Sequence, residues 1–156
     1  MKGKSFNLSL TNLIYRLRRF DDIVRDELGE IMFDKELIIK DMVVNQQLYK
    51  QGINGQGEFI MDYEPYKPRT IKNKKKKGQP YNRVTLRDTG DFYRSIHLKR
   101  VAGGYGLVAS DWKADKLLKK YRPTVLRLTN ENLNILLREY IRPELVKRLK
   151  QRLNEN

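Results

Sequence analysis

From residue 8 to residue 50, apolar side chains return at intervals of three and four: Leu10, Leu13, Ile14, Leu17, Val24, Leu28, Ile31 and Met32. Such spacing lines one face of an α-helix. Leu37, Ile38, Met42, Val43 and Leu48 extend the series, while Asp21, Asp22, Arg25, Asp26, Lys35, Glu36 and Lys40 fill the other side. The pattern predicts one long amphipathic helix or a helical hairpin, capped by Ser9 or Thr11 and bent or divided at Gly29. The stripe is long for so small a chain, and part of it is expected to pack against a neighbouring chain.

Gly52, Gly55 and Gly57 then end the helix. Their spacing superficially suggests a phosphate loop, but the context is wrong: no strand precedes them, no Lys-Ser/Thr follows, and they end a helix instead of starting one. "EFIMDY" reads as a short strand. Pro65, Pro68 and Pro80 break up residues 64–82, which read as a mobile basic loop or arm in which Thr70 caps a short helical turn. Val84 and Leu86 alternate with polar neighbours as on a strand. Asp88, Thr89, Gly90 and Asp91 form a turn or helix cap, and Phe92 and Ile96 can share one helical face. "SIHLKRVAGGYGLVAS" predicts a β-hairpin turning at Gly103-Gly104, with Ile96, Leu98 and Val101 facing Tyr105, Leu107 and Ala109. A short helix capped by Asp111 carries Ala114, Leu117, Leu118 and Tyr121 and closes at Pro123. "TVLRL" reads as extended. Thr129 caps a last helix bearing Leu133, Leu136, Leu137, Tyr140 and Ile141. Pro143 kinks or restarts it before Leu145, Leu149 and Leu153. The expected fold is α+β: a long N-terminal amphipathic helix or helical hairpin, a small antiparallel sheet and a C-terminal helix packed on it. It forms one domain over 1–156, with a helical region at 8–50 and an α+β core at 83–156.

Composition changes this picture in one place. The net charge is +14, yet residues 1–64 hold nine basic and eleven acidic side chains. Residues 65–87 hold nine basic and none acidic, so the excess begins there. A local positive field favours a polyanion or an acidic protein face. The contacting residues expected on this arm are Lys67, Arg69, Lys72, Lys74, Lys75, Lys76, Lys77 and Arg83. Tyr66 and Tyr81 flank the block, where they could stack on bases. Lysines alone would grip phosphate with little sequence preference.

Chemistry is sparsely supplied. The chain has no cysteine, which excludes disulfides, thiolate metal sites and cysteine nucleophiles and fits a reducing cytoplasm. Its one histidine, His97, cannot make a multi-histidine metal site. Ser95 and Asp91 are near it in sequence, but alternation along a strand would point neighbouring side chains to opposite faces. Asp88 and Asp91 flank a turn, where carboxylates usually accept backbone N–H bonds. No enzymatic activity, cofactor, metal or small-molecule substrate is expected. Neither is a membrane span or a signal peptide.

Three stretches carry a family resemblance: "YEPYKPRTIKNKKKKGQP", "VTLRDTGDFYRSI" and "YRPTVLRLTNENLNILL". Together they resemble the virion morphogenesis and tail-completion proteins of tailed phages, the Mu-like family and its relatives. Leu86, Thr89, Gly90, Phe92, Ser95 and Ile96 hold the positions of a Leu-x-x-Thr-Gly-x-(aromatic or Leu)-x-x-Ser-Ile stretch. Arg122, Pro123, Leu128, Thr129 and Glu131 resemble the family's Arg-Pro piece and its Leu-Ser/Thr step into a final helix. The likeness covers roughly residues 64–155. Two departures stand out: Thr124-Val125-Leu126 follows where an aromatic is usual, and the hairpin exit lacks an aromatic-Ala pair. The resemblance implies a structural protein of the head–tail neck or tail terminus, assembled in the host bacterial cytoplasm into the virion as a ring around the DNA path. Implied partners are further copies of itself and portal, connector or tail subunits, with non-specific contact to packaged DNA. The alternative is a basic nucleic-acid-binding protein that works alone.

Overall fold

The computed structural model describes residues 10–154. Helix α1 (Leu10–Asp34) and helix α2 (Glu36–Asp41) are separated by Lys35 alone, which leaves helical geometry at φ −96°, ψ 8°. Gly29 therefore does not divide the helix as the sequence suggested. It is instead a point of close approach, because a Cβ there would lie 2.5 Å from the Tyr105 hydroxyl. The expected caps Ser9 and Thr11 and the stripe positions Leu10, Leu13 and Leu153 lie outside the residues whose side chains are described.

After α2 the chain runs on as a π-helix, Met42–Gln51. Met42 and Gln47 are buried five residues apart, as are Val43 and Leu48, and i→i+5 winding places each pair on one face. Gly52 ends the run in left-handed conformation at φ 72° and donates its N–H to the Gln47 carbonyl. Residues 58–63 are not a strand. Only Phe59 makes a bridge, to Ile53, and Ile60–Tyr63 is a helical turn, α3. The reason is packing: Ile60, Met61 and Tyr63 all reach the same core, which a strand's alternation would forbid.

The basic segment is helix α4 (Pro68–Lys76), not an irregular loop. Residues 84–86 are not a strand either: Val84, Thr85 and Leu86 are all buried, and Leu86 takes φ 55°. A short helix, α5 (Asp91–Ser95), follows and runs directly into β1 (Ile96–Val101). β1 pairs antiparallel with β2 (Gly104–Ala109) in the register Ile96–Ala109, Leu98–Leu107, Arg100–Tyr105. Ala102-Gly103 make the turn, one residue earlier than expected, and Val101 points outward. The free edge of β1 is covered by α2, where the Glu36 carboxylate accepts the Leu98 N–H at 2.9 Å. That contact blocks edge-to-edge pairing.

Helix α6 (Ala114–Tyr121) begins beyond Asp111, whose carboxylate accepts the Lys113 N–H while Lys113 holds the cap position. Pro123–Leu126 is a 3₁₀ turn where an extended piece was expected, and it buries Val125 and Leu126 together. Thr129 caps α7 (Asn130–Ile135) by accepting the Asn132 N–H. A second π-helical turn, Leu136–Ile141, buries its first and last residues, so Leu133 and Leu137 are left exposed instead of completing an α-helical stripe. Pro143 sits in the first turn of the restarted helix α8 (Arg142–Asn154).

The helices cover one face of the hairpin, in two apolar clusters. One gathers Val43, Leu48, Ile60, Val84, Phe92, Ile96 and Val125; the other gathers Ile31, Ile39, Met42, Leu98, Leu136 and Ile141. Strand β1 joins them, contributing Ile96 to the first and Leu98 to the second, while His97 and Lys99 face outward.

Candidate interaction site

Pro68 occupies the first turn of α4, where its missing N–H costs nothing. The helix then sorts its side chains by face. Thr70 and Lys74 turn inward with Tyr66, Asn73 and Lys77 lie exposed along the groove side, and Arg69, Lys72, Lys75 and Lys76 are exposed away from it. Spreading the cations around a helix lengthens their separations, and those in the last turn meet the negative end of the helix dipole.

Lys74 is 7% exposed. Its ammonium donates to the Arg87 carbonyl at 2.6 Å and to Gln79 Oε1 at 3.3 Å, and it lies 5.0 Å from the Tyr66 ring centre. Lys77 is ion-paired with Asp88. Arg83 donates to the Tyr49 carbonyl at 2.8 Å and to Asn82 Oδ1 at 2.9 Å. Lys74 thus fastens α4 to the core from within, while the Lys77–Asp88 pair and Arg83 tie down its flanks nearer the surface. Lys67, Arg69, Lys72, Lys75 and Lys76 point outward and have no acidic partner among the described residues. The two tyrosines part company. Tyr66 is buried under Lys74, so it offers no face to a base, whereas Tyr81 is 44% exposed with Lys75 over its ring.

The motif residues gather directly behind this helix. Leu86, Phe92 and Ile96 are buried. Gly90 has φ 93° at the start of α5, a conformation that favours glycine. The Thr89 hydroxyl bonds the Asp91 carboxylate, and Ser95 Oγ donates to the Phe92 carbonyl. A buried network that sequence reasoning missed holds the segment to α4. The Thr85 N–H donates to the Tyr66 hydroxyl at 2.9 Å, and the Tyr93 hydroxyl donates to the Thr85 carbonyl. Burial pushes the Tyr93 phenol well above its ordinary value, so it stays a donor.

Between α4 and α6 lies a groove of about 340 Å³. Tyr66, Leu86, Phe92, Leu117 and Tyr121 give it an apolar floor, and Lys77 and Lys113 stand at its rim with Asp88, Asp91 and Asp111. Those carboxylates are already occupied, by Lys77, by Arg94 and Thr89, and by the Lys113 N–H respectively. Beside the rim, Trp112 is 84% exposed. The apolar side of α6 was readable from its spacing; its position opposite α4 was not.

Ser95 and Asp91 do not converge on His97. Its Nδ1 meets the Ser95 carbonyl at 2.9 Å, while Ser95 Oγ and Asp91 bond elsewhere. Among the described residues, no three histidine or carboxylate side chains converge as metal ligands would, and no helix is long and apolar enough to cross a membrane.

The Lys77–Asp88 pair makes stability depend on acid. The hydrogen bond from Lys77 holds the Asp88 carboxyl below its ordinary 3.8, and Asn45 and Gln46 do the same for Asp41. A carboxyl depressed on folding adds stability above its unfolded pKa and loses it as pH falls through the folded value. Thermal stability is therefore expected to be flat from neutral pH to about pH 5 and to fall below about pH 4. Calorimetry across that range, with Lys77→Met flattening part of the fall, checks it. An unchanged acid profile in that variant would remove the pair from the account.

Compared with protein-family models, with curated proteins and with solved structures, the chain matches none.

Proposed function

We propose that the protein is a structural subunit of a tailed-phage virion, acting at the neck or tail terminus as one member of a ring around the DNA path. One observation carries the reading. The outward cations of α4 stand on a rigid helix beside an apolar groove and an exposed tryptophan. Cations next to Trp112 and a greasy cleft suit a protein partner with acidic and apolar side chains, since interface anchors are enriched in aromatic residues. A phosphate backbone would use the charge and leave the cleft empty. The Leu86–Ile96 segment, within one of the three stretches that carry the resemblance to tail-completion proteins, lines that cleft with Leu86 and Phe92. In this reading α4 is an attachment device for a neighbouring virion subunit, and the DNA passing through the ring sees its positive field.

The test is particle composition together with charge reversal. The polypeptide is expected in purified particles of the phage that encodes it. Lys72→Glu with Lys76→Glu, both on the exposed face, is expected to lower the yield of tailed particles about tenfold or more, as rim charges govern docking. Absence of the polypeptide from particles overturns the proposal. The alternative, a lone nucleic-acid-binding protein, is favoured only by the exposed Tyr81 and its lysine neighbour. It requires short duplex DNA to bind with a steep salt dependence in the absence of any virion protein.

A further inference from the structure

Among the described residues, nothing covers α1 from Ile14 to Asp22. Its stripe is continuous: Leu17, Phe20, Val24, Leu28 and Ile31 follow one another at helical spacing. The C-terminal part of the stripe is packed, with Ile31 fully buried and Leu28 against the second cluster. Helix α8 runs antiparallel beside it, where Arg148 reaches Asp34, Glu30 and Glu27 in turn, and Arg152 reaches Glu27. The described part of α8 ends two residues later, near the level of Arg25. Beyond that point every side chain from Ile14 to Asp22 is exposed, including Phe20 at 43% and Leu17 at 56%. These nine residues make an overhang of about 13 Å at the usual helical rise.

Charge along the overhang changes sign at Phe20. Arg16, Arg18 and Arg19 precede it; Asp21 and Asp22 follow it. None of the five forms an ion pair within the described chain. A helix whose charges reverse about its midpoint is complementary to a second copy of itself laid antiparallel. A two-fold axis near Phe20 sets Arg18 of each copy beside Asp21 of the other and brings the two Leu17–Phe20 seams together.

We infer that the protein pairs with a second copy of itself through the α1 overhang, antiparallel and two-fold, with Phe20 at the axis. The inference does not depend on the virion role. A two-fold contact is not the repeating contact of a ring, so this pairing belongs to the free subunit or joins one ring to another. The interface is small, and its expected dissociation constant is about 10–100 µM.

The test is sedimentation equilibrium of the full chain up to about 1 mM, ten times the weaker expected constant. The wild type is expected to reach a dimer and to stop there. Leu17→Ser with Phe20→Ser, both at exposed positions, should weaken pairing about thirtyfold or more with an unchanged circular-dichroism spectrum. The decisive measurement mixes Arg18→Asp with Asp21→Arg. Each alone sets like charges together twice and should pair about tenfold more weakly; mixed one to one they restore both ion pairs and should form a heterodimer. A wild type that stays monomeric overturns the inference. So does a mixture no stronger than its components, or assembly that survives the seam variant and is lost in Trp112→Ala with Lys113→Glu, which would place the contact head-to-tail at the groove. None of these outcomes bears on whether the polypeptide is in the particle, so the two proposals fail separately.

Discussion

Gln47→Leu is expected to destabilise the protein by about 2–3 kcal/mol and to lower its melting temperature by about 6–10 °C. The side chain is fully buried in the middle of the first π-helical run. Its amide nitrogen donates to the Arg127 carbonyl, and its oxygen accepts from the Thr129 N–H and from Asn132 Nδ2, each at 2.9 Å. One side chain thereby ties the N-terminal helical region to the 3₁₀ turn and to the cap of α7. Leucine fills similar space and satisfies none of the three groups, and a buried group left unpaired costs more than a made bond contributes. Chemical unfolding of the two proteins side by side measures the difference. A loss below about 0.5 kcal/mol, the scatter of neutral surface changes, would mean that water replaces the amide.

Arg148→Met is expected to cost about 2 kcal/mol, between the ranges for exposed and buried pairs. The guanidinium spans four carboxylates: Glu144 at 3.1 Å, Glu30 at 3.1 Å, Glu27 at 3.6 Å, and Asp34. Glu27 is the costly one to abandon, with a side chain only 6% exposed and Arg152 as its remaining partner. The hydrogen bond to Glu144, and with it that to Asp34, raises the pKa of the guanidinium, and the reciprocal contact lowers that of Glu144. Arg148→Lys should recover little, since a compact ammonium cannot fork between carboxylates on two helices. The comparison is best made by unfolding at low and at high salt. Screening removes the contribution of exposed Glu30 and Asp34 and leaves that of Glu27. A loss that vanishes entirely in high salt would show Glu27 to be indifferent to its partner.

The parts of this fold that were legible are those fixed by neighbours in sequence. The α1 stripe, the presence of a hairpin across residues 96–109 though not its register, the Thr129 cap and the turn at Thr89-Gly90 all follow from local spacing and chemistry. The basic segment was misread because prolines and like charges describe a loop when taken alone. Tyr66 and Lys74 make it a helix through bonds to Thr85 and Arg87, more than ten residues away. Residues 58–63 failed for a similar reason: Ile60 is anchored by the Gly52 carbonyl, and nothing within the hexapeptide records that. The π-helical runs are not legible in the sequence because their buried positions recur at five, which matches neither the strand period of two nor the α-helical period of 3.6. At the candidate site the cations were found, but their division into outward and inward sets depended on the segment behind them.

Leu86 holds a strained conformation in that segment. A left-handed backbone costs a leucine about 1–2 kcal/mol, and glycine or asparagine would relieve it. Its side chain, however, is part of the groove floor. An engineer optimising torsions alone would replace it, gain thermal tolerance and flatten the cleft. The tension in this loop shapes the groove floor, and under the proposed function a thermostabilised version of the protein should be judged by whether it still docks.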